Sequence, residues 1–150
     1  MIIQKMTVEA FDAFTELPEN ADKLFEFIGG EVVEVPSNAF TSKISIKFAI
    51  RIGFFVEEHD LGHTTGEAGG YMVFGERYAP DVAFISTVKQ PELAQRGYNP
   101  NPPDLAVEID FPSTYESQRN LRIKTGNDLA VGTVVWIVYP ETKQVEVYAP

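Results

Sequence analysis

The chain has 150 residues, of which 44% are apolar and 23% charged, and it contains no cysteine. This is one domain's length at an ordinary globular composition, which excludes wholesale disorder, a disulfide framework, a thiolate metal site and a cysteine nucleophile. Twelve basic residues against 22 acidic leave a net charge of −10, a balance that favours solubility and argues against indiscriminate nucleic-acid binding while leaving room for local basic patches.

In chain order, Met1-Ile-Ile-Gln-Lys5 lacks the long apolar stretch of a signal peptide. No uncharged apolar run approaches the ~20 residues of a membrane span. A cytoplasmic protein is therefore expected. Thr7 is placed to cap a short helix reaching about Glu16, with Glu9 in its first turn and Phe11, Phe14 and Leu17 at helical spacing. Leu24 to Ile28 and Glu31 to Val35 flank Gly29-Gly30 and predict a β-hairpin. Pro36-Ser37-Asn38 breaks the chain. Ile44, Phe48, Ile52, Phe55 and Val56 then predict a helix from about Phe40 to Glu58, stopped by Leu61-Gly62.

Strand signals follow at Tyr71–Phe74 and Asp81–Ile85, separated by Gly75–Pro80. The proline-rich stretch Gln90–Pro103 predicts an ordered loop. Leu105–Ile109, Val134–Val138 and Gln144–Tyr148 predict strands, with a weaker helix between Ser117 and Val131. Gly126 interrupts that helix at a cost of about 1 kcal/mol relative to alanine. The order predicts a mixed α/β (α+β) sheet with helices on its faces, in one domain spanning residues 1–150.

Glu108 stands in an otherwise apolar strand, where an unpaired carboxylate is very costly. It must be protonated, paired or bound to a cation. Strand alternation puts Ala106, Glu108 and Asp110 on one face, successive positions about 7 Å apart. Asp81 opens the strand Val82–Ile85. If the two strands are neighbours, Asp81 and Glu108 can share one hard cation, Mg²⁺ or Mn²⁺. A nearby lysine would complete a site for phosphodiester hydrolysis. Two segments are basic and free of acid: Thr41–Gly53 with Lys43, Lys47 and Arg51, and Gln118–Gly126 with Arg119, Arg122 and Lys124. Both are candidate contacts to a DNA backbone. His59 and His63 are separated by the helix-breaking Gly62 and make a poor metal pair. Gly66–Tyr71 lacks the lysine and spacing of a phosphate loop.

Five stretches together resemble the Uma-type restriction endonuclease family of bacteria, a branch of the PD-(D/E)xK nuclease superfamily. They are Phe25-Glu-Phe-Ile-Gly-Gly-Glu-Val-Val-Glu-Val-Pro36, Arg77-Tyr-Ala-Pro-Asp-Val-Ala-Phe-Ile85, Pro103-Asp-Leu-Ala-Val-Glu-Ile109, Leu121-Arg-Ile-Lys124 and Gly132–Val138 running on to Tyr148. The resemblance implies a restriction-endonuclease-like core, with Asp81 and Glu108 as metal ligands and the backbone carbonyl of Ile109 as a further one. It implies that Lys124, on the following helix, takes the place of a lysine two residues after the glutamate, where this chain has Asp110. Glu31 matches a further acidic position, so Glu31 and Asp110 are candidate accessory acids. Family members usually continue a few dozen residues beyond the point matching Pro150, so the extension is expected to be absent here.

The leading expectation is a Mg²⁺-dependent (or Mn²⁺-dependent) DNA endonuclease. A homodimer is expected with it, because cutting a duplex needs two sites. The alternative is a catalytically inactive binding or regulatory protein on the same fold, and a small-substrate metal hydrolase comes third.

Overall fold

A computed structural model describes residues 5–35, 38–111 and 114–150. The expectations that fall on Met1–Gln4, Pro36 and Ser37 lie outside the described residues. Thr7 caps α1 (Val8–Thr15), its side chain accepting from the Ala10 amide. The hairpin β1 (Phe25–Ile28) and β2 (Glu31–Glu34) turns through Gly29 and Gly30, both at positive φ as a two-residue turn of this hand demands. Asn38 caps α2 (Ala39–Glu58), accepting from the Thr41 amide.

Two strands appear that periodicity did not predict. β3 (Gly62–Gly66, Gly-His-Thr-Thr-Gly) carries little apolar signal, yet it pairs over its whole length with β6 (Val82–Ser86). The segment expected to separate two strands contains β5 (Glu76–Tyr78), which forms a hairpin with β4 (Tyr71–Val73). Phe74, expected at the end of a strand, sits at φ 49° in the turn with Gly75. The remaining elements are β7 (Leu105–Ile109), α3 (Tyr115–Ala130), β8 (Val134–Tyr139) and β9 (Gln144–Tyr148).

The strands form two sheets, ordered β2-β1-β5-β4 and β3-β6-β7-β8-β9. The larger is mixed: β7 and β8 are parallel, joined by α3, and its other neighbours are antiparallel. Alternation divides that sheet into two faces. Val82, Val107 and Val138 face α2 and pack against Ile44, Phe48 and Ile52. Ala83 and Ile85 face the other way, into a core shared with Ile28, Tyr71, Val73 and Tyr78 of the smaller sheet. A third core, Phe11, Phe25 and Phe27, lies under α1 on the far side of the smaller sheet. No helix among the described residues is long and apolar enough to cross a membrane.

Candidate active site

Asp81 immediately precedes β6 and shares the inward parity of Ala83 and Ile85. Glu108 shares the parity of Ala106 on the neighbouring β7. Both project to the face away from α2, into a cavity of about 750 Å³ that Lys124 of α3 also lines. The three residues predicted to act together are therefore brought together from three elements. Lys124 Nζ stands 2.5 Å from Glu108 Oε1. Asp81 Oδ2 accepts a hydrogen bond from the Ile109 amide at 2.7 Å. That bond fixes the aspartate against the end of β7. Ile109 and Asp110 line the same cavity. The Asp110 carboxylate, buried as well, accepts from Gln118 Nε2 at 3.1 and 3.2 Å.

A fourth member is Glu26. It alternates with Phe25 and Phe27, which face α1, so it points to the interior between the sheets. Its Oε1 accepts from Lys124 Nζ at 2.7 Å and from the Ala79 amide at 2.8 Å. Glu26 thus ties α3 to the Ala79-Pro80-Asp81 segment and holds Lys124 from the side opposite Glu108. The sequence signal that singled out Glu108, an acid in an apolar strand, applies equally to Glu26 and was overlooked there. Glu31, the hairpin acid suggested by the resemblance, is not among the cavity's lining residues. It begins β2 and faces Arg119 at 3.8 Å.

Helix α3 presents Asn120, Lys124 and Asp128 at successive four-residue steps, all buried. Such spacing keeps them on one face. Asn120 lines the cavity, and its buried Oδ1 has no hydrogen-bond partner among the described residues, a costly state for a polar atom. Side chains on either side of Gly126 are hydrogen-bonded. Thr125 Oγ1 donates to the Leu121 carbonyl, and Asn127 Nδ2 donates to the Tyr78 hydroxyl at 2.7 Å. Tyr78 in turn donates to Glu76.

The cluster holds more negative than positive charge. Burial disfavours the charged form of Lys124, but the carboxylates of Glu108 and Glu26 outweigh it and keep the ammonium above the ordinary lysine range. Burial raises the proton affinity of Glu108; Lys124 opposes this, while Asp81 and Glu26 add to it. Asp81 is raised by burial, partly offset by the Ile109 amide and Lys124. Asp128 is pushed up to about 7, by burial first, with Lys124 opposing and Glu26 reinforcing. Four acids around one lysine make a site that attracts protons or a cation.

The basic residues expected to grip DNA do not converge on this cavity. Lys43 has its ammonium 5.8 Å from the ring of Phe40, a lining residue. Lys47 and Arg51 border a different, apolar cavity of about 680 Å³ floored by Phe84, Leu105 and Trp136. Those floor residues belong to the α2 face, so these two cations sit across the sheet from Glu108. Arg119 is engaged by Glu31, and Arg122 is exposed on α3. The two histidines are also accounted for: His59 bonds the Phe55 carbonyl and His63 the Pro91 carbonyl.

The Uma2 family, described as "Putative restriction endonuclease", matches residues 11–150. The chain belongs to the Uma2 family. A crystal structure described as a putative nuclease belonging to DUF820, from Anabaena variabilis ATCC 29413, superposes with a TM-score of 0.75 at 22% identity. The match covers 97% of this chain and 80% of that one, and it establishes a shared fold. No curated protein matches the sequence.

Proposed function

We propose that this Uma2 chain is a divalent-cation-dependent DNA endonuclease with its active site at Asp81, Glu108 and Lys124. The observation that carries this reading is their meeting, from β6, β7 and α3, in one acid-rich cavity where Lys124 touches Glu108 at 2.5 Å. The donors are all hard oxygens, which suit Mg²⁺ or Mn²⁺. Among the described residues no three His, Cys, Asp or Glu side chains form a metal cage. A cation would therefore rest on Asp81 and Glu108, and Mg²⁺ is commonly held by one or two carboxylates plus water and phosphate oxygens. When bound, such an ion polarises the phosphate and lowers the pKa of a bound water.

The chain's own groups divide the remaining work. Lys124 Nζ, with two carboxylates holding it charged, donates to the phosphate or orients the attacking water. Glu26 is a positioning residue, because it acts through Lys124. Asn120 Oδ1 offers an acceptor for a hydrogen of that water. Water attacks phosphorus opposite the 3′ oxygen and breaks the P–O3′ bond; its proton passes to solvent, solvent protonates the leaving 3′ oxygen, and a 5′-phosphate and a 3′-hydroxyl result.

The test is nicking of supercoiled plasmid with Mg²⁺ or Mn²⁺, with Asp81→Ala and Glu108→Ala purified in parallel. Each variant is expected to lose about 100-fold or more of the rate. Equal traces in all three preparations mean contamination and overturn the assignment. A parent that binds DNA without cutting it supports the second reading, a binding protein on this fold, which the position of Lys47 and Arg51 across the sheet favours.

A further inference from the structure

Helix α2 buries one apolar stripe and exposes another. Ile44, Phe48 and Ile52 pack on the sheet, while Ile46, Ile50 and Phe54 are 55%, 63% and 68% exposed. The second trio also recurs every four residues, so it forms one line on the opposite side of the helix. Three large apolar side chains in such a line are a surface that expects a partner. Lys43 and Glu57, both exposed, extend the line at its two ends.

The order Lys43, Ile46, Ile50, Phe54, Glu57 has spacings of three, four, four and three residues. It reads the same from either end about Ile50, with opposite charges at the termini. Within one helix Lys43 and Glu57 are separated by roughly 21 Å at 1.5 Å per residue, so they cannot pair with each other. Two copies packed antiparallel about a twofold axis at Ile50 bring Ile50 onto Ile50 and Ile46 onto Phe54. The same operation sets Lys43 of each copy against Glu57 of the other, twice. Such self-complementarity is what an isologous interface requires.

We propose that the outer face of α2 joins two copies of this chain in this antiparallel register. The net charge of −10 disfavours an anionic membrane or a nucleic acid, and a second copy alone offers Glu57 opposite Lys43 twice, which offsets the repulsion between the two chains. The contact is centred on Ile50, whereas the acid-rich cavity reaches α2 only at Phe40 and Thr41, in its first turn. Lys43 keeps its contact with Phe40 and retains donors for a carboxylate.

Sedimentation equilibrium of the parent tests this directly. A dimer mass is expected at about 100 µM, since a one-helix interface is at the small end of the stable range. Ile50→Asp, at a position already exposed, should keep the parent's circular dichroism and weaken the dimer by at least about tenfold. Lys43→Glu and Glu57→Lys should each weaken it, and the double variant should restore it, because the charges exchange only between copies. A monomeric parent, a dimer indifferent to Ile50→Asp, or a double variant no better than the singles overturns the proposal. So does binding of the parent to phosphatidylserine vesicles that Ile50→Asp abolishes with no change in mass.

Discussion

Helices α2 and α3 lie against opposite faces of the larger sheet and break the usual pattern of a surface helix in opposite ways. A helix normally buries apolar residues and exposes polar ones. α2 buries apolar residues but exposes more of them. The buried positions of α3 are Asn120, Lys124, Thr125 and Asp128, all polar. Exposed apolar surface on α2 only forgoes the stabilisation that covering it would supply. Buried charge on α3 is costly at all times and is tolerated only because Glu26, Glu108 and Lys124 satisfy one another. The face that carries a standing electrostatic cost is the face where the proposed chemistry lies. The apolar face is where the chain is held together and where it can meet another chain.

Substitutions sharpen this contrast. Lys124→Met should have the largest effect on stability, about 3–5 kcal/mol at neutral pH, because it strands two buried carboxylates. The loss should shrink as pH falls, because burial raises the proton affinity of Glu108 and a neutral Glu108 no longer needs the ammonium, as urea melts at pH 7 and at lower pH would show. On the opposite face, Val107→Ala should cost roughly 2 kcal/mol from lost burial and the cavity left behind. That cost should be independent of pH, and plasmid nicking should survive it.

Asp128→Asn probes the acid excess alone. The folded protein binds a proton at Asp128 up to about pH 7, whereas the unfolded chain releases it near the ordinary aspartate value of about 3.9. The native state therefore holds more protons between those values, and Asp128 makes stability fall as pH rises from about 4 to 7. Asp128→Asn should remove this slope and stabilise the protein at pH 8 relative to pH 4, by up to roughly 4 kcal/mol. A pH profile identical to the parent's would show that Asp128 is not held neutral by its surroundings. Arg119→Ala should move the melting midpoint least, within about 0.5 kcal/mol, since its 3.8 Å pairing with Glu31 is partly solvated.

The sequence revealed the two faces unequally. α2 was legible almost to the residue, because apolar periodicity is strong where a helix packs on an apolar sheet. α3 read as a weak helix for a physical reason: its buried stripe is polar, so hydrophobic period carries no signal there. β3 and β5 escaped because short strands of Gly, His, Thr, Glu and Arg hold their place through pairing with β6 and β4 rather than through their own propensity. Asp81 and Glu108 stood out as acids in apolar strands, and Lys124 was reachable only through resemblance to a family. Glu26 obeyed the rule that found Glu108, while Asn120 and Asp128 lie one helical turn either side of Lys124. Searching four residues up and down from a suspected helical site residue would have found both.

The central claim is that the α3 face gathers carboxylates which a divalent cation completes. Mn²⁺ titrated into the folded parent, Asp81→Asn and Glu108→Gln, and followed by loss of the free-ion paramagnetic resonance signal, tests it most directly. The account predicts one bound Mn²⁺ per parent chain and binding weakened at least about tenfold in either variant. Equal binding by all three proteins, or none by a correctly folded parent, would contradict it.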